Sequence, residues 1–151
     1  MTHMDEILRR LVVLSRRLAQ PELDYLILAE GNTSARIDEE SFWVKASGFR
    51  MADIDAGGFV ALRTAPLLAV LEEGNLSDDE VKARMAAARV DPAARLRPSV
   101  EAMLHAVALT VGGAHYVGHT HPTAVNAILC SRLAEEAYAG RLFPDEIVIC
   151  G

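Results

Sequence analysis

Between residues 33 and 62 the chain sets three short strand candidates one after another, and polar turns rather than helices join them. Thr33 to Ile37 comes first; Asp38-Glu39-Glu40 reads as a hairpin turn, and Ser41 to Ala46 as the return strand. Phe42 and Val44 of the return strand fall on one face and Trp43 and Lys45 on the other, because strand side chains alternate with a period of two. Ser47-Gly48 breaks that strand, Asp53 to Gly58 is another polar turn, and Phe59 to Leu62 supplies the third strand. Strands and helices mix along this chain without a regular βαβ alternation. That predicts an α+β layered domain and not a doubly wound parallel sheet.

Helices bracket this group. Glu6 to Ala19 is amphipathic, with Ile7, Leu8, Leu11, Val12, Leu14 and Leu18 as its apolar stripe and the two arginine pairs largely opposite; Pro21 ends it. Leu26 to Ala29 leads into the turn signal Glu30-Gly31-Asn32. Pro66 to Glu72 is a short helix, and Ser77-Asp78-Asp79-Glu80 has the form of a capping box opening a helix over Glu80 to Ala88. Asp91 to Pro98 is a linker rich in Pro, Ala and Arg. Ser99 then fits the N-cap of a helix over Val100 to Val111, ended by Gly112-Gly113. His115 to His121 reads as a strand, a helix runs from Pro122 or Thr123 to about Ser131, and Glu146 to Cys150 reads as a last strand. No internal repeat or low-complexity segment is present.

Composition bounds the function. The 151 residues are 51% hydrophobic and 24% charged, as in a soluble globular chain of ordinary domain size. The net charge of −6 and the absence of any basic cluster longer than Arg9-Arg10 or Arg16-Arg17 argue against nucleic acid, which needs a concentrated positive face. An anionic small substrate remains compatible, since a site can be locally positive around a metal. Cys130 and Cys150 lie outside any Cys-x-x-Cys pattern and read as free thiols of a reducing compartment. The first ten residues carry Asp5, Glu6, Arg9 and Arg10 and lack the apolar run of a signal peptide. With no stretch of ~18 uncharged apolar residues, a membrane span is not expected, and the cytoplasm is the expected location.

The chemistry concentrates late in the chain. In His119-Thr120-His121-Pro122, two histidines one residue apart on a strand present their rings to one side, with Cα atoms about 6–7 Å apart, close enough to share one ion. Pro122 ends the ladder there and leaves the pair at a strand tip. His115 has the same parity but lies roughly 13 Å from His119 along an extended strand, too far to join. Two solvated or core histidines are the alternative. Upstream, Glu101 and His105 stand four apart, on a helical face that also carries Leu104 and Ala108. Glu101 is then a metal ligand, a general base, one half of an i,i+4 surface pair, or a first-turn glutamate favoured by the helix dipole.

Gly31-Asn32-Thr33-Ser34 and Ser47-Gly48 both place glycine beside short polar side chains, which is either ordinary turn chemistry or a cradle for an anion. Lys45 and Arg36 add positive charge nearby or are solvated strand residues.

Four motifs now stand in order: Gly31-Asn32-Thr33-Ser34-Ala35-Arg36, Val44-Lys45-Ala46-Ser47-Gly48, Arg97-Pro98-Ser99-Val100-Glu101 with His105, and His119-Thr120-His121-Pro122. In that order they resemble the class II aldolase/adducin family, and the stretch from Glu73 to Arg97 with the wording of the third motif is most similar to its rhamnulose-phosphate aldolase-type branch. The resemblance implies a three-layer αβα fold around a mainly antiparallel sheet, usually assembled as a tetramer. Members include sugar-phosphate aldolases, a ribulose-phosphate epimerase, a thioribulose-phosphate dehydratase and adducin heads without known catalysis. Carried over by motif, His119 and His121 are ligands of Zn2+ or another divalent metal, and Glu101 is the acid/base. Asn32, Ser47, Gly48 and Ser99 line the substrate-phosphate pocket. The implied reaction is cleavage of a phosphorylated ketose through a metal-stabilised enediolate; the alternatives are a non-catalytic adducin-like assembly module or an inactive fragment of such an enzyme.

The chain departs from the family pattern in three places. Ala29 stands where the fuculose-phosphate branch has threonine, and Val100 where it has a second serine. The family's third zinc histidine belongs to a later strand, which these 151 residues do not include. The expectation is therefore one class II aldolase-like domain, apparently truncated at its C-terminus.

Overall fold

In the computed structural model, which describes residues 2–28 and 30–138, antiparallel pairing organises the middle of the chain. After the helix α1 (His3–Leu18) come β1 (Asn32–Arg36), β2 (Ser41–Lys45) and β3 (Phe59–Arg63). The helices α2 (Thr64–Glu73), α3 (Asp78–Ala87) and α4 (Ala102–Thr110) follow, then β4 (Tyr116–His119), α5 (Thr123–Leu129) and α6 (Ala134–Tyr138). The four strands form one sheet in the order β3-β2-β1-β4, antiparallel throughout. Its register sets Ser34 against Val44, Phe42 against Leu62, and Asn32 against His119.

Period-two alternation gives the sheet two apolar faces. Phe42, Val44, Val60 and Leu62 pack beneath Leu67 of α2, Met85 of α3, and Ala102, Ala106 and Leu109 of α4. Ala35, Phe59 and Ile54 pack on the other face against Ile7 and Leu11 of α1, with Trp43 partly buried among them. Helices thus cover both faces, and the expected α+β, αβα layering holds. Leu11, Phe42, Val44, Leu62 and Leu67 are at most 1% exposed, each worth roughly 1.5–3 kcal/mol of apolar burial.

Several boundaries differ from expectation for local reasons. The first helix opens at His3, three residues early, because Thr2 caps it: the Thr2 hydroxyl accepts from the Asp5 amide while the Asp5 carboxylate accepts from Thr2 N–H. Ser15 sits fully buried on the α1 stripe. Its hydroxyl donates to the Leu11 carbonyl at 2.7 Å and meets the Thr33 hydroxyl at 2.6 Å, so the polar group is satisfied where α1 crosses β1. Arg16 stays exposed like its neighbour Arg17, yet its Nε donates to the Ile54 carbonyl at 2.8 Å. The Ser77–Glu80 capping box forms as expected.

The chain after α3 returns to the sheet. Arg63 N–H donates to the Ala88 carbonyl and Val90 N–H to the Ala61 carbonyl, which covers the β3 edge. The short helix α6 has no counterpart in the sequence reading. Ala29, Cys150 and the strand expected over Glu146 to Cys150 lie outside the described residues. Cys130 is free and exposed, and among the described residues no helix is long and apolar enough to cross a membrane.

Candidate metal centre

The site forms where β1 begins and β4 ends, since their antiparallel register places Asn32 beside His119. Gly31 makes this approach possible at φ +91: a Cβ there would stand 2.6 Å from Leu26 Cδ2 and 3.0 Å from the His119 carbonyl oxygen. The segment before α4 is drawn to the same end of the sheet. Ala46 bridges Pro98, and Ser47 N–H donates to the Arg97 carbonyl at 2.8 Å, which delivers Ser99 and Glu101 to the mouth of β1.

Helix α4 starts at Ala102, not Val100, with Glu101 at its N-cap; Ser99 lies two residues too early to cap it. The Ser99 hydroxyl instead donates to Glu101 Oε2 at 3.3 Å, and Asn32 Nδ2 donates to the same oxygen at 3.1 Å. Glu101 Oε1 is left for the histidines and lies 3.5 Å from His119 Nδ1. Burial is the largest influence on Glu101 and acts to raise its pKa. The hydrogen bonds from Asn32 and Ser99 and the nearby His119 and His121 outweigh it, so the carboxyl is held below the usual carboxylate range.

His119 and His121 converge as the spacing predicts, with ring centroids 4.7 Å apart, though by a different route. The strand ends at His119. Beyond it His121 N–H donates to the Tyr25 carbonyl at 2.9 Å, and Thr123 Oγ1 to Asp24 Oδ1 at 2.9 Å, so the turn after α1 aims His121. Tyr25 and Asp24 carried no signal in the sequence, because their role depends on a contact about a hundred residues along the chain. Glu101, His119 and His121 each offer a ligand atom within 4.8 Å of the others. His121 Nε2 is buried with no hydrogen-bond partner, an arrangement that a shared cation relieves and that is costly without one. A carboxylate with two imidazoles suits zinc or a similar divalent ion.

His105 is near but does not join the group. It is 2% exposed, its ring centroid is 6.2 Å from that of His119, and its Nδ1 shares a 2.7 Å hydrogen bond with the Ser34 hydroxyl. The helical face expected to unite His105 with Leu104 splits, for Leu104 is 64% exposed. Burial first, and the neighbouring His119 second, push the His105 pKa down to about 4 against the pull of Glu101. In metal-free protein this couples to folding. Between pH 6.5 and about 4 the unfolded chain binds a proton on His105 that the folded chain refuses, so stability is lost as pH falls through that window. The loss is expected to reach roughly 3 kcal/mol. Urea denaturation at pH 7 and pH 4.5 measures it, and His105→Gln should flatten this part of the pH dependence; an unchanged slope in the variant refutes the assignment.

The phosphate-pocket candidates divide. Asn32 is buried against Glu101, and Asn32 to Ser34 are strand residues, not a loop. Ser47 and Ser99 line a common cavity of about 390 Å³. Gly48 turns the chain at φ +90 with open space around it. Lys45 is 5% exposed, not solvated. Its ammonium donates to the Phe49 carbonyl at 2.8 Å, and burial lowers its pKa against the opposing pull of Glu101 and Glu30. Arg36 and His115 lie at the opposite end of β1, around a separate cavity of about 500 Å³. The sequence reading assigned no site role to Lys82, Arg89 or Arg97, which line the cavity with the two serines. Arg97 stands inside a recognised motif; Lys82 and Arg89 belong to none.

The chain matches the family model of the class II aldolase and adducin N-terminal domain over residues 9–149. It is 30% identical over 123 residues to the uncharacterized oxidoreductase YuxG of Bacillus subtilis (strain 168), covering 74% of this chain and 17% of that protein. Among solved structures it is similar to the N-terminal class II aldolase domain of a conserved protein from Thermoplasma acidophilum, with a TM-score of 0.72, 27% identity, and coverage of 91% of this chain and 63% of that one. An L-fuculose 1-phosphate aldolase from Glaciozyma antarctica PI12 shares the fold, with a TM-score of 0.56 at 16% identity, covering 83% of this chain and 44% of that one. The chain thus spans less than two thirds of the length of each of these relatives.

Proposed function

The chain belongs to the class II aldolase and adducin N-terminal domain family, and from that membership we propose that it is a zinc-dependent aldolase-type lyase acting on a phosphorylated ketose. The observation that carries the reading is the convergence of Glu101, His119 and His121, drawn from the N-terminus of α4 and the end of β4, with ligand atoms within 4.8 Å of one another. His119 and His121 would hold the metal, with Glu101 beside it. A divalent ion bound there supplies Lewis acidity, drawing electron density from the ketose carbonyl and its neighbouring hydroxyl.

The protein's own groups do the rest. Asn32 and Ser99 both donate to Glu101 Oε2 and so fix the carboxylate, leaving Oε1 to carry the proton that cleavage of a β-hydroxy carbonyl must move. The depressed pKa keeps that oxygen ionised and ready to accept. Ser47, Gly48 and Ser99 would be donors for the phosphate end of the substrate, and the Ser99 hydroxyl touches Glu101 Oε2. Homo-oligomeric assembly belongs to the same proposal.

Zinc titration by calorimetry, with cleavage assays on a panel of ketose phosphates, tests it. The wild-type chain should bind one zinc, and the His119→Ala/His121→Ala double variant should lose stoichiometric zinc and cleavage while keeping its circular dichroism. A non-catalytic assembly module would instead bind no stoichiometric zinc and keep its oligomeric state in the double variant.

A further inference from the structure

We propose that Asp24 and Thr123 are positioning residues of the metal centre: the Asp24 carboxylate clamps the segment from His121 to Thr123 and so sets how tightly His121 can hold a divalent ion. The inference rests on the reading of His121 as a metal ligand and adds to it the side chains on which its aim depends.

The two histidines are held in different ways. The sheet fixes His119, since β4 runs to that residue and pairs it with Asn32. His121 lies beyond the strand end, and α5, which opens two residues later, has no buried residue to anchor the segment by packing. Metal-binding histidines are commonly turned to their ion by a hydrogen bond on the second ring nitrogen. The Nε2 of His121 is buried without a partner, so no bond on that nitrogen turns the ring. The aim is carried by the backbone.

The turn after α1 supplies what the sheet does not. His121 N–H donates to the Tyr25 carbonyl at 2.9 Å, Thr123 N–H to the Asp24 carbonyl at 3.3 Å, and Thr123 Oγ1 to Asp24 Oδ1 at 2.9 Å. Asp24 can make two of these contacts because of its conformation. It stands in the left-handed region at φ +51 and ψ +35, which few residues other than glycine, asparagine and aspartate adopt. Its own N–H closes the turn on the Pro21 carbonyl at 3.2 Å, and its carbonyl and carboxylate both reach Thr123. Unusual backbone of this kind persists where surrounding contacts over-determine it, and it clusters at functional sites. Pro122 makes no side-chain cap for α5; Asp24 takes that place from 99 positions away. Both side chains are exposed, so either can be replaced without opening a cavity in the core.

Zinc titrations of the full chain, with visible spectra of its cobalt(II) form, test the clamp without any turnover. Asp24→Gly and Thr123→Val remove the side-chain bond and should each weaken zinc binding about three- to tenfold, with altered cobalt(II) bands. The urea midpoint of metal-free Asp24→Gly should stay close to wild type, because glycine adopts φ +51 without strain. Asp24→Asn and Thr123→Ser keep the acceptor and the donor, and should restore wild-type zinc affinity and spectrum. Zinc affinity equal to wild type in both Asp24→Gly and Thr123→Val overturns the clamp. So does an Asp24→Asn variant as weak as Asp24→Gly, which would show that the charge of Asp24 acts and not its hydrogen bond. Absence of zinc binding in wild type removes the metal reading itself, and the clamp with it; zinc held equally by all four variants removes the clamp alone.

Discussion

Glu101→Gln is expected to lower cleavage of a ketose phosphate by on the order of 10²–10⁴-fold at saturating zinc, the range general acid–base groups contribute. The substitution is informative because of how the carboxylate is held. Asn32 and Ser99 converge on a single oxygen, Oε2. A glutamine carbonyl can occupy that position and accept both hydrogen bonds, while its amide nitrogen takes the place of Oε1. The fold around β1 and α4 therefore survives, and stability should change by no more than about 1 kcal/mol. What is lost is an oxygen able to carry a proton. Zinc binding also weakens, since the anionic group beside the ion becomes neutral, but the assay is read at saturating metal, where only the proton-transfer defect remains. A variant that turns over like wild type under those conditions removes Glu101 from the acid/base role.

The sheet was legible because its information is local. Three strands between residues 32 and 63 announce themselves by alternation and by the turns that separate them, and their faces follow from parity alone. The convergence of His119 and His121 was legible too, but a continuous strand is not what produces it. The strand stops at His119, and the turn at Asp24 and Tyr25 places His121. Contacts between residues far apart in sequence were not legible. The hydrogen bond from Asn32 to Glu101 spans 69 positions, and nothing in either neighbourhood encodes it. Lys45 read equally as a nearby positive charge and as a solvated strand residue, because alternation alone cannot choose between them; its burial and its bond to the Phe49 carbonyl depend on the loop that folds back after β2. Helix α4 reads as apolar almost all round, so its sequence could not say that Leu104 and Val111 face outward while His105 is enclosed. The basic cavity was invisible for the same reason, since Lys82 and Arg97 come to line one cavity only when α3 packs against the core of the sheet.

Gly31→Ala is expected to destabilise the protein by roughly 2–5 kcal/mol, and Gly48→Ala by only about 1–2 kcal/mol. The two glycines have nearly the same backbone, φ +91 and φ +90, so the conformational penalty of adding a side chain in the left-handed half of the map is common to both. Their surroundings differ. A Cβ on Gly48 meets nothing within 4 Å, whereas one on Gly31 meets Leu26 at 2.6 Å and the His119 backbone oxygen at 3.0 Å. Leu26 can rotate away; the strand backbone of β4 cannot move without shifting the register that sets Asn32 beside His119. The excess loss at Gly31 over Gly48 is therefore a packing term, and it should appear together with weaker zinc binding, because the displaced atom belongs to a residue of the candidate metal centre. Urea denaturation of both variants, with zinc titrations of the same samples, measures the two effects side by side. Equal destabilisation at the two positions, or loss of stability at Gly31 with zinc affinity intact, would show that the start of β1 does not hold His119 in place.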